Sequence, residues 1–187
     1  IIVDKVTIPP GDPQSFEFDP SWGVNFFLTH AAAPNDSGFL APGAYSVAEL
    51  GPPAGWTLTS AVCSDGSPIG AIDLAAGETV TCTFTNTKQG RILVDKVTDP
   101  LGHPQLFEFN PSWPGANFLL DDASAPQDSG PLAPGVYSVA ELGPPPGWQL
   151  TSAVCSDGSP IGAINLAAGE TVTCTFTNTG RGDLLVF

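Results

Sequence analysis

Residues 41–87 and 133–179 are the same sequence at all but four positions, which read Ala44/Val136, Ala54/Pro146, Thr57/Gln149 and Asp73/Asn165. Two copies this close must adopt one fold twice, which points to a modular structural array before any enzyme. The opening residues Ile1, Ile2, Val3, Asp4 and Lys5 recur as Ile92, Leu93, Val94, Asp95 and Lys96, an offset of 91, whereas Cys63 and Cys155 are offset by 92. One residue is therefore inserted between the two markers, near Trp113 and Pro114. Each unit has about 90 residues, enough for one modest core. The expected domains are 1–88 and 89–179. Residues 180–187, GRGDLLVF, resemble the junction and opening strand at 89–94. They read as the first strand of a third repeat, or as a strand donated to the open sheet edge of a neighbouring subunit.

Period-two alternation recurs in both copies. Ile1, Val3 and Lys5 share one face, as do Phe16 and Phe18, Tyr45, Val47 and Glu49, Trp56 and Leu58, and Val80, Cys82, Phe84 and Asn86. Thr79, Thr81, Thr83 and Thr85 take the opposite face of the last strand. Threonine on a wet face and valine, cysteine and phenylalanine on a dry one mark half-buried strands. Turns are expected where Pro42-Gly43, residues 52–55, residues 64–66 and Ala76-Gly77 interrupt the pattern. The expected fold class is all-β: two tandem Ig-like β-sandwiches of about seven strands each.

The same alternation sets Lys5, Glu49 and Asn86 at the next inward position of otherwise apolar faces, and the second copy repeats the set as Lys96, Glu141 and Asn178. A lone buried charge costs several kcal/mol, so the three should satisfy one another. Desolvation favours a neutral amine beside a protonated acid. Such an amine is a nucleophile toward the asparagine carboxamide, with the acid polarising the oxygen and relaying protons while ammonia leaves. The alternative is a buried Lys-Glu ion pair with Asn as a hydrogen-bonding neighbour.

The cysteines, Cys63 with Cys82 and Cys155 with Cys174, lack the close spacing of zinc or redox motifs. Repeat symmetry favours one bond within each unit, and an oxidising, extracellular setting, over two pairs of free buried thiols. Nineteen acidic residues against five basic give a net charge of −14, which argues against nucleic acid and anionic membranes as partners. Lys88, Arg91 and Arg181 fall at the two junctions and are expected to fasten each acidic domain to the next. No run reaches the length of a membrane span. Residue Ile1 follows neither a signal peptide nor a start methionine, so the chain reads as a mature or excised portion.

The segments VDK at 3–5, GAYSVAELGPPAGW at 43–56 and TVTCTFTNT at 79–87 resemble the prealbumin-like, Cna-B-type (SpaA-like) domains of bacterial surface proteins and pilins. The resemblance covers both units almost end to end. It implies an intramolecular isopeptide bond from the first-strand lysine to the last-strand asparagine, assisted by the acidic residue of the Y-x-x-x-E segment. The matching positions are Lys5, Asn86 and Glu49, then Lys96, Asn178 and Glu141. The chain departs from members of that family that carry isopeptide bonds without cysteines.

Other motifs carry weaker expectations. Asn35 opens an Asn-Asp-Ser glycosylation sequon in a polar loop that the second copy lacks. Residues 181–183 spell Arg-Gly-Asp. Trp22 and Trp113 suit either sugar stacking or packing over the sandwich edge, and Trp56 and Trp148 the core. Asp65, Asp73 and Glu78 lack the alternating ligands of a calcium loop, so no metal site and no cofactor is expected. His30 and His103 occupy different places in the two copies, which argues against a catalytic triad. The expected function is a structural repeat of an extracellular cell-surface stalk, fibre or pilus-like filament, with neighbouring repeats or identical subunits as partners. The alternative is an adhesin or carbohydrate-binding module that meets a glycan or host-matrix ligand through the loops that vary most, 29–39 and 120–131.

Overall fold

The computed structural model describes residues 1–124 and 126–182, which form two compact units, Ile1–Gln89 and a second beginning at Gly90. The expected third-unit strand and the aspartate of the Arg-Gly-Asp tripeptide lie outside the described residues. Unit 1 holds β1 (Ile2–Ile8), β2 (Phe16–Pro20), β3 (Phe26–Leu28), β4 (Asn35–Asp36), β5 (Gly43–Tyr45), β6 (Val47–Leu50), β7 (Trp56–Cys63), β8 (Ile72–Leu74) and β9 (Thr81–Lys88). Unit 2 repeats them as β10 (Arg91–Asp99), β11 (Phe107–Pro111), β12 (Phe118–Leu120), β13 (Gln127–Asp128), β14 (Gly135–Tyr137), β15 (Val139–Leu142), β16 (Trp148–Cys155), β17 (Ile164–Leu166) and β18 (Thr171–Gly180). The architecture is all-β.

One layer of unit 1 is the sheet β4-β1-β9-β7. Its centre joins the first and last strands in parallel, with Val3 opposite Cys82, Lys5 opposite Phe84 and Thr7 opposite Asn86. Parallel neighbours need a long crossover, and here the crossover is the rest of the domain. The facing layer contains β3-β2-β6 and β5-β8. The chain changes partner at Ser46: before it the strand pairs with β8, after it with β2. There the Ser46 amide donates to Ser21 Oγ at 2.9 Å and its carbonyl accepts from the Ser21 amide at 2.8 Å. That switch, with the two-residue β4, yields nine strands per unit among the described residues where the turn spacing suggests about seven.

Side chains from both layers form one core in each unit. Val3, Cys82 and Phe84 meet Phe16, Phe18 and Val47, and the Phe18 ring sits edge-on to Phe84 at 5.1 Å. Trp56 is buried against Phe16 at 5.4 Å, and unit 2 repeats the contact as Trp148 on Phe107 at 5.5 Å. The turns that deliver these tryptophans end on Gly55 and Gly147 at φ of 81° and 86°, a conformation that a side chain would strain. Trp22 and Trp113 pack edge-on against Tyr45 and Tyr137 at 6.2 and 6.5 Å.

Cys63 and Cys82 are direct partners on antiparallel β7 and β9 and form a disulfide, as do Cys155 and Cys174 on β16 and β18. Each ties the last strand to its neighbour. Closing a 19-residue separation stabilises by about 3 kcal/mol in the chain-entropy account.

The junction cations Lys88 and Arg91 each pair with a carboxylate of their own unit. Lys88 Nζ pairs with Asp12 of its own unit at 2.8 Å, and Arg91 with Asp128 of its own unit at 3.0 Å. The end of β9 and the start of β10 bring each cation beside a carboxylate of the unit it belongs to. Gly90 closes unit 2 at its head. It exchanges two backbone hydrogen bonds of 2.9 Å with Leu132, and a Cβ there would lie 2.8 Å from the Glu170 carbonyl oxygen.

Candidate functional site: a buried lysine, glutamate and asparagine

The three inward polar positions converge. Lys5 comes from β1, Asn86 from the adjacent β9, and Glu49 from β6 across the sandwich, where it stands beside Phe18 in the ladder. Lys5 is 1 % exposed, and the side chains of Lys5 and Glu49 are wholly buried. Lys5 Nζ donates to Asn86 Oδ1 at 2.5 Å and lies 3.4 Å from Glu49 Oε2. Asn86 Nδ2 donates to the other carboxylate oxygen, Glu49 Oε1, at 2.6 Å. The amine sits 4.0 Å from the centroid of the Phe16 ring, which shields it from water.

Each contact has a chemical consequence. Burial pulls the Lys5 amine below the ordinary lysine pKa, against the opposing pull of Glu49. One oxygen of Glu49 faces the amine and the other faces the carboxamide nitrogen, so the carboxyl bridges the two groups. Desolvation strengthens every one of these interactions.

Unit 2 brings the same residues together with a different posture. Asn178 Nδ2 donates to Glu141 Oε1 at 2.6 Å, as in unit 1. Lys96 Nζ donates to the carbonyls of Val97 at 2.7 Å and Phe176 at 3.3 Å, as Lys5 Nζ does to Val6 at 3.3 Å and Phe84 at 3.4 Å, but among the described residues it makes no hydrogen bond to Asn178. Asn178 Oδ1 has no hydrogen-bond partner among the described residues, while Glu141 Oε2 accepts no hydrogen bond there, as Glu49 Oε2 accepts none in unit 1. Burial lowers the Lys96 pKa, opposed by Glu141, Asp122 and Asp95, and it raises that of Glu141 above the usual carboxyl range.

The remaining residues singled out in the sequence do other work. Asn35 lies on β4, opposite Val3 at the sheet edge, and not in a loop; two polar residues are too few to show a strand pattern. His30 Nδ1 accepts from the Thr7 amide at 3.1 Å, and His103 Nδ1 from the Gln105 amide at 3.1 Å. Asp65 accepts from the Ser67 amide and hydroxyl, and Glu78 from the Ala75 amide. No group of three potential metal ligands and no helix long and apolar enough to cross a membrane occurs among the described residues. One open cavity of about 350 Å³ lies at the head of unit 1, beside Ile1, Leu40, Leu74 and the exposed Phe39.

Two β-sandwiches, each with its first and last strands side by side over a buried Lys-Glu-Asn cluster, define a class of tandem prealbumin-like domains. The SpaA_4 family, described as a prealbumin-like fold domain, matches residues 1–88 and 107–180, and the chain belongs to it. No curated protein sequence matches the chain. Among solved structures it is similar to the Bacillus anthracis TIE protein at 20% identity, covering 96% of this chain and 33% of that one, with a TM-score of 0.39. The chain thus spans a third of that protein's length. A C-terminal fragment of the pilus adhesin SpaC from Lactobacillus rhamnosus GG gives 18% identity, 98% coverage of both chains and a TM-score of 0.39. The major pilin from Streptococcus pyogenes gives 15% identity, coverage of 97% of this chain and 98% of that one, and a TM-score of 0.42.

Proposed function

We propose that each unit closes an intramolecular isopeptide bond, Lys5 to Asn86 and Lys96 to Asn178, and that the chain is a force-carrying module of an extracellular stalk, fibre or pilus-like filament. The observation that carries this reading is the placement of Glu49 between the Lys5 amine and the Asn86 amide nitrogen. The neutral amine attacks Asn86 Cγ, and its proton passes to Glu49 Oε2. Glu49 Oε1 returns a proton to Nδ2, the Cγ–Nδ2 bond breaks and ammonia leaves. One amine and one carboxamide become one secondary amide and ammonia, with Glu49 returned to its starting state. The event happens once per unit, so it is self-processing and not turnover.

The mechanical consequence follows from the topology. With the first and last strands covalently joined at the centre of one sheet, tension entering β1 leaves through β9 without separating them. Disulfides in each unit support the extracellular placement. Pulling single molecules from their ends tests the reading. A locked unit lengthens only by its few residues outside the cross-link. A unit held by its disulfide alone would release roughly 200 Å of chain at ~3.5 Å per residue, and such steps would overturn it.

A second reading is an adhesin or carbohydrate-binding module. The cavity beside Phe39 supports it, since residue 131 is a proline at the corresponding place in unit 2. A glycan-array and matrix-protein screen with no ligand would remove it.

A further inference from the structure

The two clusters differ at one neighbouring position. His30 and Asp122 correspond, each two residues beyond the end of β3 or β12, and each accepts the amide of the threonine that pairs with the reactive asparagine. His30 accepts through Nδ1 and brings no negative charge. Asp122 Oδ2 gathers the Thr98 amide at 2.7 Å, the Thr98 hydroxyl at 2.6 Å and the Gly102 amide at 2.9 Å, which fixes a carboxylate beside the cluster. In both units the amine donates to two backbone carbonyls; in unit 1 it also reaches Asn86 Oδ1 at 2.5 Å, whereas in unit 2 it draws in to 2.7 Å from the Val97 carbonyl, against 3.3 Å at Val6, and Asn178 Oδ1 is unpartnered among the described residues.

We propose that residue 122, with its counterpart 30, is a positioning residue that sets how fast each unit closes its cross-link, Asp122 making unit 2 slower than unit 1. This rests on the isopeptide reading above. The groups facing Lys96 are Glu141 from β15, Asp122 from the segment after β12, Asp95 from its own strand, the Phe107 ring from β11, and Asn178 and the Phe176 carbonyl from β18. Around Lys5 stand Glu49, the Phe16 ring, Asn86 and the Phe84 carbonyl, with His30 where unit 2 has Asp122. A fixed carboxylate favours the ammonium form and draws it from the carboxamide, so less free amine is present to attack. The order of closure then runs from unit 1 to unit 2.

The test is refolding of the full chain from denaturant at pH 7, quenched in acid at intervals and digested. Peptide mass then follows the loss of about 17 Da in each unit. Unit 1 should close about tenfold faster, a difference of about 1.4 kcal/mol in barrier. Asp122→Asn keeps an acceptor oxygen for Thr98 but drops the charge, and should bring unit 2 to the unit 1 rate. Asp122→Glu should leave it slow, and His30→Asp should slow unit 1. The unit 2 rate of the natural chain should also keep rising to higher pH than that of Asp122→Asn. Equal time courses in both units, or no acceleration by Asp122→Asn with no slowing by His30→Asp, overturn the inference and leave the cross-link standing. Loss of no ammonia in any variant overturns the cross-link itself, and this inference with it.

Discussion

Combining Lys5→Met with Glu49→Gln separates a covalent lock from a buried ion pair, because the two accounts differ in sign. The double change removes both ionisable groups at nearly constant volume, and the new carboxamide still offers an oxygen to Asn86 Nδ2. If Lys5 and Glu49 form only a salt bridge, apolar and neutral replacements of similar volume are neutral or stabilise by about 1–4 kcal/mol. If Lys5 is bonded to Asn86, the variant loses a closure between residues 81 apart. With the Cys63–Cys82 bridge already inside that loop, the chain-entropy account gives a loss of about 4 kcal/mol. For a domain of this size each kcal/mol moves the melting temperature by about 4–8 °C, so the unit 1 transition should fall by roughly 15–30 °C. Calorimetry of the full chain reads this with unit 2 as an internal reference. A unit 1 transition that stays in place or rises refutes the reasoning.

Three further outcomes follow. With the unit 2 cross-link blocked by Lys96→Met, the raised pKa of Glu141 makes unit 2 most stable below the unfolded value of about 4.3, and that stability is lost as pH rises through the folded value. Urea titrations at several pH values should show the slope, and Glu141→Gln should remove it. Cys63→Ala with Cys82→Ala should cost unit 1 about 3 kcal/mol in the same measurement, with unit 2 unchanged. Gly90→Ala drives a methyl within 3.0 Å of Glu170 O, Leu166 Cγ and Ala167 O and should destabilise unit 2 by about 1–3 kcal/mol, whereas Gly182→Ala meets nothing within 4 Å and should be neutral.

The convergence of Lys5, Glu49 and Asn86 is legible in the sequence because each continues an alternating face, and a strand has only two faces to choose between. Their mutual order is not, since alternation carries no information on which strands become neighbours. The parallel pairing of β1 with β9, which puts Thr7 opposite Asn86, arises from closure of the whole domain. The partner change at Ser46 is hidden for a related reason: the apolar pattern runs on through Tyr45 and Val47, and only the Ser21 hydrogen bonds mark the break. In sequence, His30 is an isolated loop histidine. Its alignment with Asp122 can be read from the repeat, but the threonine amide that both accept becomes visible only once the loop folds back on β1 or β10. The partners of the junction cations, Asp12 and Asp128, are hidden because clustering along the chain does not say which carboxylate lies closest in space.

The central claim is tested most directly by the intact mass of the purified chain, denatured, before and after reduction. The account predicts a deficit of about 34 Da that survives reduction, for two ammonia molecules lost, alongside about 4 Da that reduction restores for two disulfides. A deficit of about 4 Da alone, abolished by reduction, would contradict it and leave Lys5, Glu49 and Asn86 as a buried polar cluster without a covalent bond.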